Sequence, residues 1–281
     1  MVQCELENSD FAISYKQRKK EDEMPGKITK TIKVALCVAV AFSFLAVQSA
    51  NAITIELALM LDGSNSLTDA DWDLQVNAYR SIFNDNFMDN YVIAGDELWV
   101  TVYQFSTAVT NEIAMQQIST NTEAGALGDA IALLTQDKLW TNTTGAVNDA
   151  VAELTTNAIA SDNMIIDVST DGLPCLDGDC DQDTRDAAIA ASAAAYLADV
   201  TVNALGVGMG GSGSTGDLFL DAFTAAGGGF KITATDYTQF EDALTTKLYR
   251  EVHGIPDPGT VFLLGSACLI GFAGLRRKFK E

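Results

Sequence analysis

Two hydrophobic periods alternate along the chain. Residues 53–61 and 97–105 are nearly continuous apolar and β-forming runs, and 163–169 and 200–207 repeat the pattern, as strands buried on both faces do. Residues 109–118 read as a more exposed edge strand and 229–233 as a last, short strand. Between these runs the period changes to that of a helix. Trp72, Val76, Tyr79 and Phe83 share one face over 69–83, and Leu127, Ile131 and Leu134 share one over 123–134. Helices are also predicted over 146–157, 184–197, 218–226 and 237–252, while 85–95 reads as a polar loop. This alternation specifies an α/β fold: a doubly wound, mostly parallel sheet with helices on both faces. Binding sites in such folds lie beyond the carboxyl ends of the strands, at the switch point.

The ends of the 281-residue chain have a different character. Residues 1–23 are polar without an apolar period and read as a gene-model extension or a disordered segment. Met24 opens a second beginning: Lys27, Lys30 and Lys33, an apolar stretch over 34–47, then Ser49-Ala50-Asn51-Ala52. These are the three parts of a secretory signal peptide, 24–52, cut before Ile53; an uncleaved anchor is the alternative. The domain then runs over 53–252 and a linker over 253–260. An apolar segment, 261–275, and a basic tail, 276–281, follow. Fifteen helical residues rise only about 22 Å, short of a bilayer core of ~30 Å, and the basic tail should stay cytoplasmic.

Charge and cysteine usage agree with export. Between residues 53 and 275 lie six basic and 31 acidic residues, so this part carries about −25. It will repel nucleic acid and attract cations, which excludes nucleic-acid binding. Only Cys175 and Cys180 fall inside the domain, with four residues between them in a polar loop. In an oxidising compartment that pair is expected as a disulfide.

The candidate chemistry begins where the first apolar run stops, at Leu61-Asp62-Gly63-Ser64-Asn65-Ser66. A carboxylate and two hydroxyls at alternate positions of a turn leaving a strand can face one point. Hard oxygen ligands of this kind suit Mg²⁺ or Mn²⁺ better than Zn²⁺. The same residue types cap helices, and Ser66 with Asp69 also reads as a capping box. Thr141, in Thr141-Asn142-Thr143-Thr144, and Asp171, in Ser169-Thr170-Asp171-Gly172, reach the same sheet edge.

This combination resembles the von Willebrand factor A (vWA) domain over nearly the whole of 53–252. Gln104-Phe105-Ser106 and Ala204-Leu205-Gly206-Val207-Gly208 match further strands of that family. The resemblance implies a binding module rather than an enzyme, with a metal-ion-dependent adhesion site. Asp62, Ser64, Ser66, Thr141 and Asp171 would hold Mg²⁺ or Mn²⁺ there, and Thr143 or Thr144 are alternatives to Thr141. An acidic residue of a protein or matrix partner would complete the coordination. The C-terminal end is similar to the PEP-CTERM sorting signal of Gram-negative bacteria, with Pro256-Asp257-Pro258 in place of Pro-Glu-Pro. That resemblance implies an exosortase partner and sorting to the envelope or cell surface.

Other signals are weaker. Gly206-Val207-Gly208-Met209-Gly210-Gly211 fits a dinucleotide fingerprint by letter but follows a late strand. Asp177, Asp179, Asp181 and Asp183 alternate through the cysteine loop as a candidate Ca²⁺ site, without the glycine and glutamate of an EF-hand. His253 is the only histidine, so no imidazole base stands beside a nucleophile. The expectation is an exported adhesion or matrix-assembly protein. The alternatives are a structural matrix component whose metal only stabilises the fold and, more weakly, a metal-dependent hydrolase.

Overall fold

In the computed structural model, which describes residues 52–253, the apolar runs lie side by side as one six-stranded sheet. The expected signal peptide up to Asn51, the Pro256-Asp257-Pro258 motif, the segment 261–275 and the tail lie outside the described residues. Among the described residues no helix is long and apolar enough to cross a membrane.

The strands are β1 (Thr54–Asp62), β2 (Glu97–Phe105), β3 (Val109–Ile118), β4 (Asn163–Thr170), β5 (Val200–Val207) and β6 (Gly228–Ala234). They lie in the order β3-β2-β1-β4-β5-β6, and only β3 runs antiparallel. The chain therefore moves outward from β1 through β2 and β3, then returns to the other side of β1 as β4. The switch point lies between the carboxyl ends of β1 and β4, whose parallel pairing runs from Ile55 with Asn163 to Leu61 with Ser169.

Among the described residues seven α-helices cover the sheet. α1 (Asp69–Asn84), α2 (Phe87–Tyr91), α3 (Asn121–Ile131) and α7 (Phe240–His253) enclose one core with Leu57, Leu59 and Leu61 of β1. α4 (Thr143–Thr156), α5 (Gln182–Leu197) and α6 (Thr215–Ala226) enclose the other with Ala58, Met60 and Val168. Trp72, Val76, Tyr79 and Phe83 are all buried, as the helical period of α1 requires.

Three expectations need correction. The polar loop expected over 85–95 contains α2, because Phe87 and Tyr91, one turn apart, stack on each other and continue the aromatic row begun by Phe83. The helix expected over 123–134 ends at Ile131. The chain beyond it has another task, since Gln136 donates to the Ser64 and Leu67 carbonyls. The helix expected from 146 starts at Thr143, capped by the Asn142 side chain, which accepts from Gly145 N–H. The glycine-rich match at 206–211 serves packing: a Cβ on Gly206 would sit 2.2 Å from Leu220 Cδ1.

Candidate metal centre

β1 delivers Asp62 to the switch point, and the turn after it is fixed by backbone bonds on both sides. Gly63 N–H donates to the Phe105 carbonyl, Asn65 N–H to the Leu139 carbonyl, and Lys138 N–H to the Gly63 carbonyl. Gly63 has to be glycine, because a Cβ there would lie 2.1 Å from Gln104 Oε1. Gln104 is itself held, accepting from Asp137 N–H and donating to the Thr135 carbonyl. Gln75 of α1, fully buried, donates to the Asp62 carbonyl.

The side chains then converge. Asp62 Oδ1 accepts from Ser64 N–H at 2.9 Å, and its Oδ2 accepts from Thr170 Oγ1 at 2.5 Å. Ser64 Oγ and Ser66 Oγ lie 2.7 Å apart, and Ser66 Oγ donates to Asp171 Oδ1 at 2.5 Å. Thr141 faces the same point: a Cβ built on Gly172 would lie 3.4 Å from Ser66 Oγ and 3.7 Å from Thr141 Oγ1. The five residues read from the sequence thus line one small cradle, and the lack of a side chain at Gly172 keeps it open.

This arrangement bears on two assignments left open by the sequence. The capping box of α1 belongs to Thr68 and Asp71, not to Ser66 and Asp69, so Ser66 keeps its hydroxyl for the cradle. Thr143 lies within the first turn of α4, whereas Thr141 precedes the cap and forms an antiparallel bridge with Cys175. Their backbones exchange two hydrogen bonds, of 2.8 and 2.9 Å.

That bridge gives the disulfide a place in the site. Cys175 and Cys180 are bonded to each other and clasp a tight hairpin in which Leu176 pairs with Asp179 across Asp177 and Gly178, both at positive φ. The hairpin bonds to Thr141 and packs Gly178 against the Trp140 ring. Closing so short a loop contributes about 2 kcal/mol in the chain-entropy picture. Replacing both cysteines by serine should lower stability by about that amount, read as a reduced midpoint in denaturant unfolding, with the rest of the sheet intact by circular dichroism.

No basic side chain balances the carboxyls of the cradle. Burial pushes the Asp62 carboxyl up to about 7, only partly offset by the Thr170 and Ser64 hydrogen bonds. Burial also raises Asp171, against its bond from Ser66. No lysine, arginine or histidine contributes to either shift. Two acids and three hydroxyls that converge without a counter-charge fit a hard divalent cation. Among the described residues no three His, Cys, Asp or Glu side chains gather as a metal-holding group; the cradle is rich in hydroxyls instead. The acidic loop shows no such group either. Its carboxylates do not converge, and Asp181 caps α5, accepting from Thr184 N–H and Oγ1, which hold its carboxyl below the usual range.

Over residues 52–256 the chain matches the family described as "Protein of unknown function (DUF1194)". The chain belongs to this family. No curated protein matches it. Among solved structures, this DUF1194 member is similar to von Willebrand factor type A from Catenulispora acidiphila, with 14% identity and a TM-score of 0.53 over 72% of this chain and 43% of that one. It is similar to the vWF domain of the type V pili tip protein Mfa5 from Porphyromonas gingivalis, with 12% identity and a TM-score of 0.55 over 74% and 98%. Proximal thread matrix protein 1 from the mussel byssus gives 17%, 0.50, 72% and 45%. The chain thus spans less than half the length of the first and third. At these identities the likeness shows the fold: this DUF1194 member has the vWA architecture.

Thr170 was not singled out from the sequence. Its hydroxyl holds Asp62 and bonds the backbone of Gly172, fixing the two strand ends to each other. Its only sequence signal is adjacency to Asp171.

Proposed function

We propose that this chain is an exported vWA-domain protein that binds a protein or matrix partner through a divalent cation, in adhesion or matrix assembly. Asp62, Ser64, Ser66, Thr141 and Asp171 hold Mg²⁺ or Mn²⁺. When bound, the ion supplies a Lewis-acidic position that an acidic group of the partner can occupy. The observation that carries this reading is the convergence of one buried and one half-buried carboxylate and three hydroxyls with no basic side chain among them. Few carboxylates leave a bound cation with net positive character, so an acidic partner residue is favoured. The role is binding, not catalysis. We place the domain at the envelope or surface of a Gram-negative bacterium, sorted by the segment that begins at Pro256-Asp257-Pro258 and handled by an exosortase-type enzyme. The family resemblance of the two chain ends and the acidity of the exported part support that location.

Capture of an envelope or matrix partner on immobilised protein should be lost on adding a chelator and restored by excess Mg²⁺. Retention of the same partner in chelator would leave the alternative, a structural component whose metal stabilises only the fold.

The raised Asp62 carboxyl adds a pH signature. Its folded-state value, about 7, lies above the ordinary 3.8, so without metal this group weakens stability as pH rises from roughly 4 to 7. Cation binding needs the ionised form, so apparent affinity should fall about tenfold per pH unit below 7. The rise in Tm produced by Mg²⁺ should accordingly be large at pH 8 and small at pH 5.5, as thermal scans with and without the ion would show.

A further inference from the structure

On the far side of β4 from its neighbours in α4, and below the cradle, lies a charged cluster that metal binding does not use. Lys247 Nζ of α7 contacts Asp167 Oδ1 in the middle of β4, and lies 2.9 Å from Glu251 Oε1 one helical turn on. All three side chains are fully buried. Apart from one another they have no hydrogen-bond partner. The surroundings are apolar: Phe240, Leu244 and Leu248 of α7 and Ile165 of β4 belong to the same core, with Tyr79 of α1 beside them.

One ammonium and two carboxyl groups isolated in an apolar core are poorly solvated by anything but each other. The proton count also matters. Burial, with Asp167 beside it, pushes the Glu251 carboxyl well above its usual range. Glu251 therefore tends to hold its proton beside the contact between Lys247 and Asp167. Transfer of a proton from nitrogen to oxygen within that contact would give a neutral amine against a neutral carboxylic acid. A dry medium stabilises that uncharged pair relative to the ions.

We propose that Lys247 and Asp167 condense into an intramolecular amide, with Glu251 as the acid–base residue. Nζ attacks Cγ of Asp167, forming the C–N bond, while Glu251 gives its proton to the carbonyl oxygen and accepts one from nitrogen. The C–O bond to one hydroxyl then breaks, that hydroxyl leaves as water with the proton that Glu251 returns, and the proton on the remaining oxygen passes to Glu251 as the C=O re-forms. One water is released, Glu251 ends as it began, and no oxidant or reductant is required. Fixed contact of nucleophile and electrophile replaces the entropy cost of bringing them together, and a proton carrier within hydrogen-bond reach of the nitrogen supplies acid–base assistance.

The product would tie α7 covalently to the central sheet. α7 leads directly into the linker 253–260 that precedes the expected sorting segment. A pull on the domain from that side would load α7 first, and the amide would carry it to β4.

Peptide mapping by mass spectrometry tests this on the full chain, reduced and alkylated. Trypsin should yield residues 139–185 joined to 232–250, lighter than the two peptides together by one water and uncut after Lys247. Glu251→Gln, close in shape, should give folded protein from which the two peptides separate; Lys247→Arg should never link. Wild-type protein that melts cooperatively yet releases both peptides, cut after Lys247, would overturn the proposal. Full linkage in Glu251→Gln would overturn the role given to Glu251.

Discussion

Replacing Lys247 by methionine should lower the stability of the fold by about 3–5 kcal/mol, the usual cost of removing one partner from a buried charge cluster. For a domain of this size that is a drop in Tm of roughly 6–20 °C. The cause is what remains. Asp167 and Glu251, the latter already holding its proton, would face each other in an apolar core with neither the Lys247 nitrogen nor a bond from α7 between them. Methionine fills most of the space of lysine, so lost volume is not the main effect. Lys138, paired with Asp69 on the surface, is the control. Its replacement by methionine should change stability little, since both side chains are half-exposed or more. Comparable effects at the two sites, in denaturant or thermal unfolding, would contradict the buried-cluster account.

The second large effect is expected at Asp62. Its carboxylate takes part in both halves of the cradle: Ser64 N–H fixes one oxygen, and Thr170, next to Asp171, fixes the other. Asp62→Ala removes a proposed ligand and also unties the end of β4 from the end of β1. Outer partners of a metal site alone cost 10–100-fold in affinity when lost, so this change should weaken Mg²⁺ binding by at least about 100-fold. Asp171→Ala should act in the same direction while leaving the bond between Asp62 and Thr170 in place.

Much of this was legible in the sequence, and unevenly so. Strands such as 97–105 and 200–207 are bounded by abrupt changes of polarity, and the structure reproduces those limits. The helix faces of α1 followed from a strong period. Helix ends were harder to place, because Thr143 and Thr144 look like turn residues until Asn142 is seen to cap them. α2 escaped notice because its two buried aromatics are embedded in a stretch of Asn and Asp; only packing against Phe83 makes it a helix. The cradle residues were readable because three motifs, two at strand ends and one at a helix start, stand in order along the chain. The chain alone could not show that the cysteine hairpin would bond to Thr141, a contact between segments more than thirty residues apart. The buried cluster was hidden for a similar reason. Lys247 and Glu251 are spaced like an ordinary exposed helical pair, and Asp167 sits silently inside an apolar run. Only the docking of α7 on β4 brings them together.

The central claim is that the cradle between β1 and β4 binds a divalent cation through Asp62. The most direct test is calorimetric titration of Mg²⁺, and separately Mn²⁺, into the purified chain and into Asp62→Ala at pH 8. Saturable binding at one site in the wild type, absent in the variant, is the predicted result. No heat of binding in a correctly folded wild type, or binding unchanged by the substitution, would contradict it.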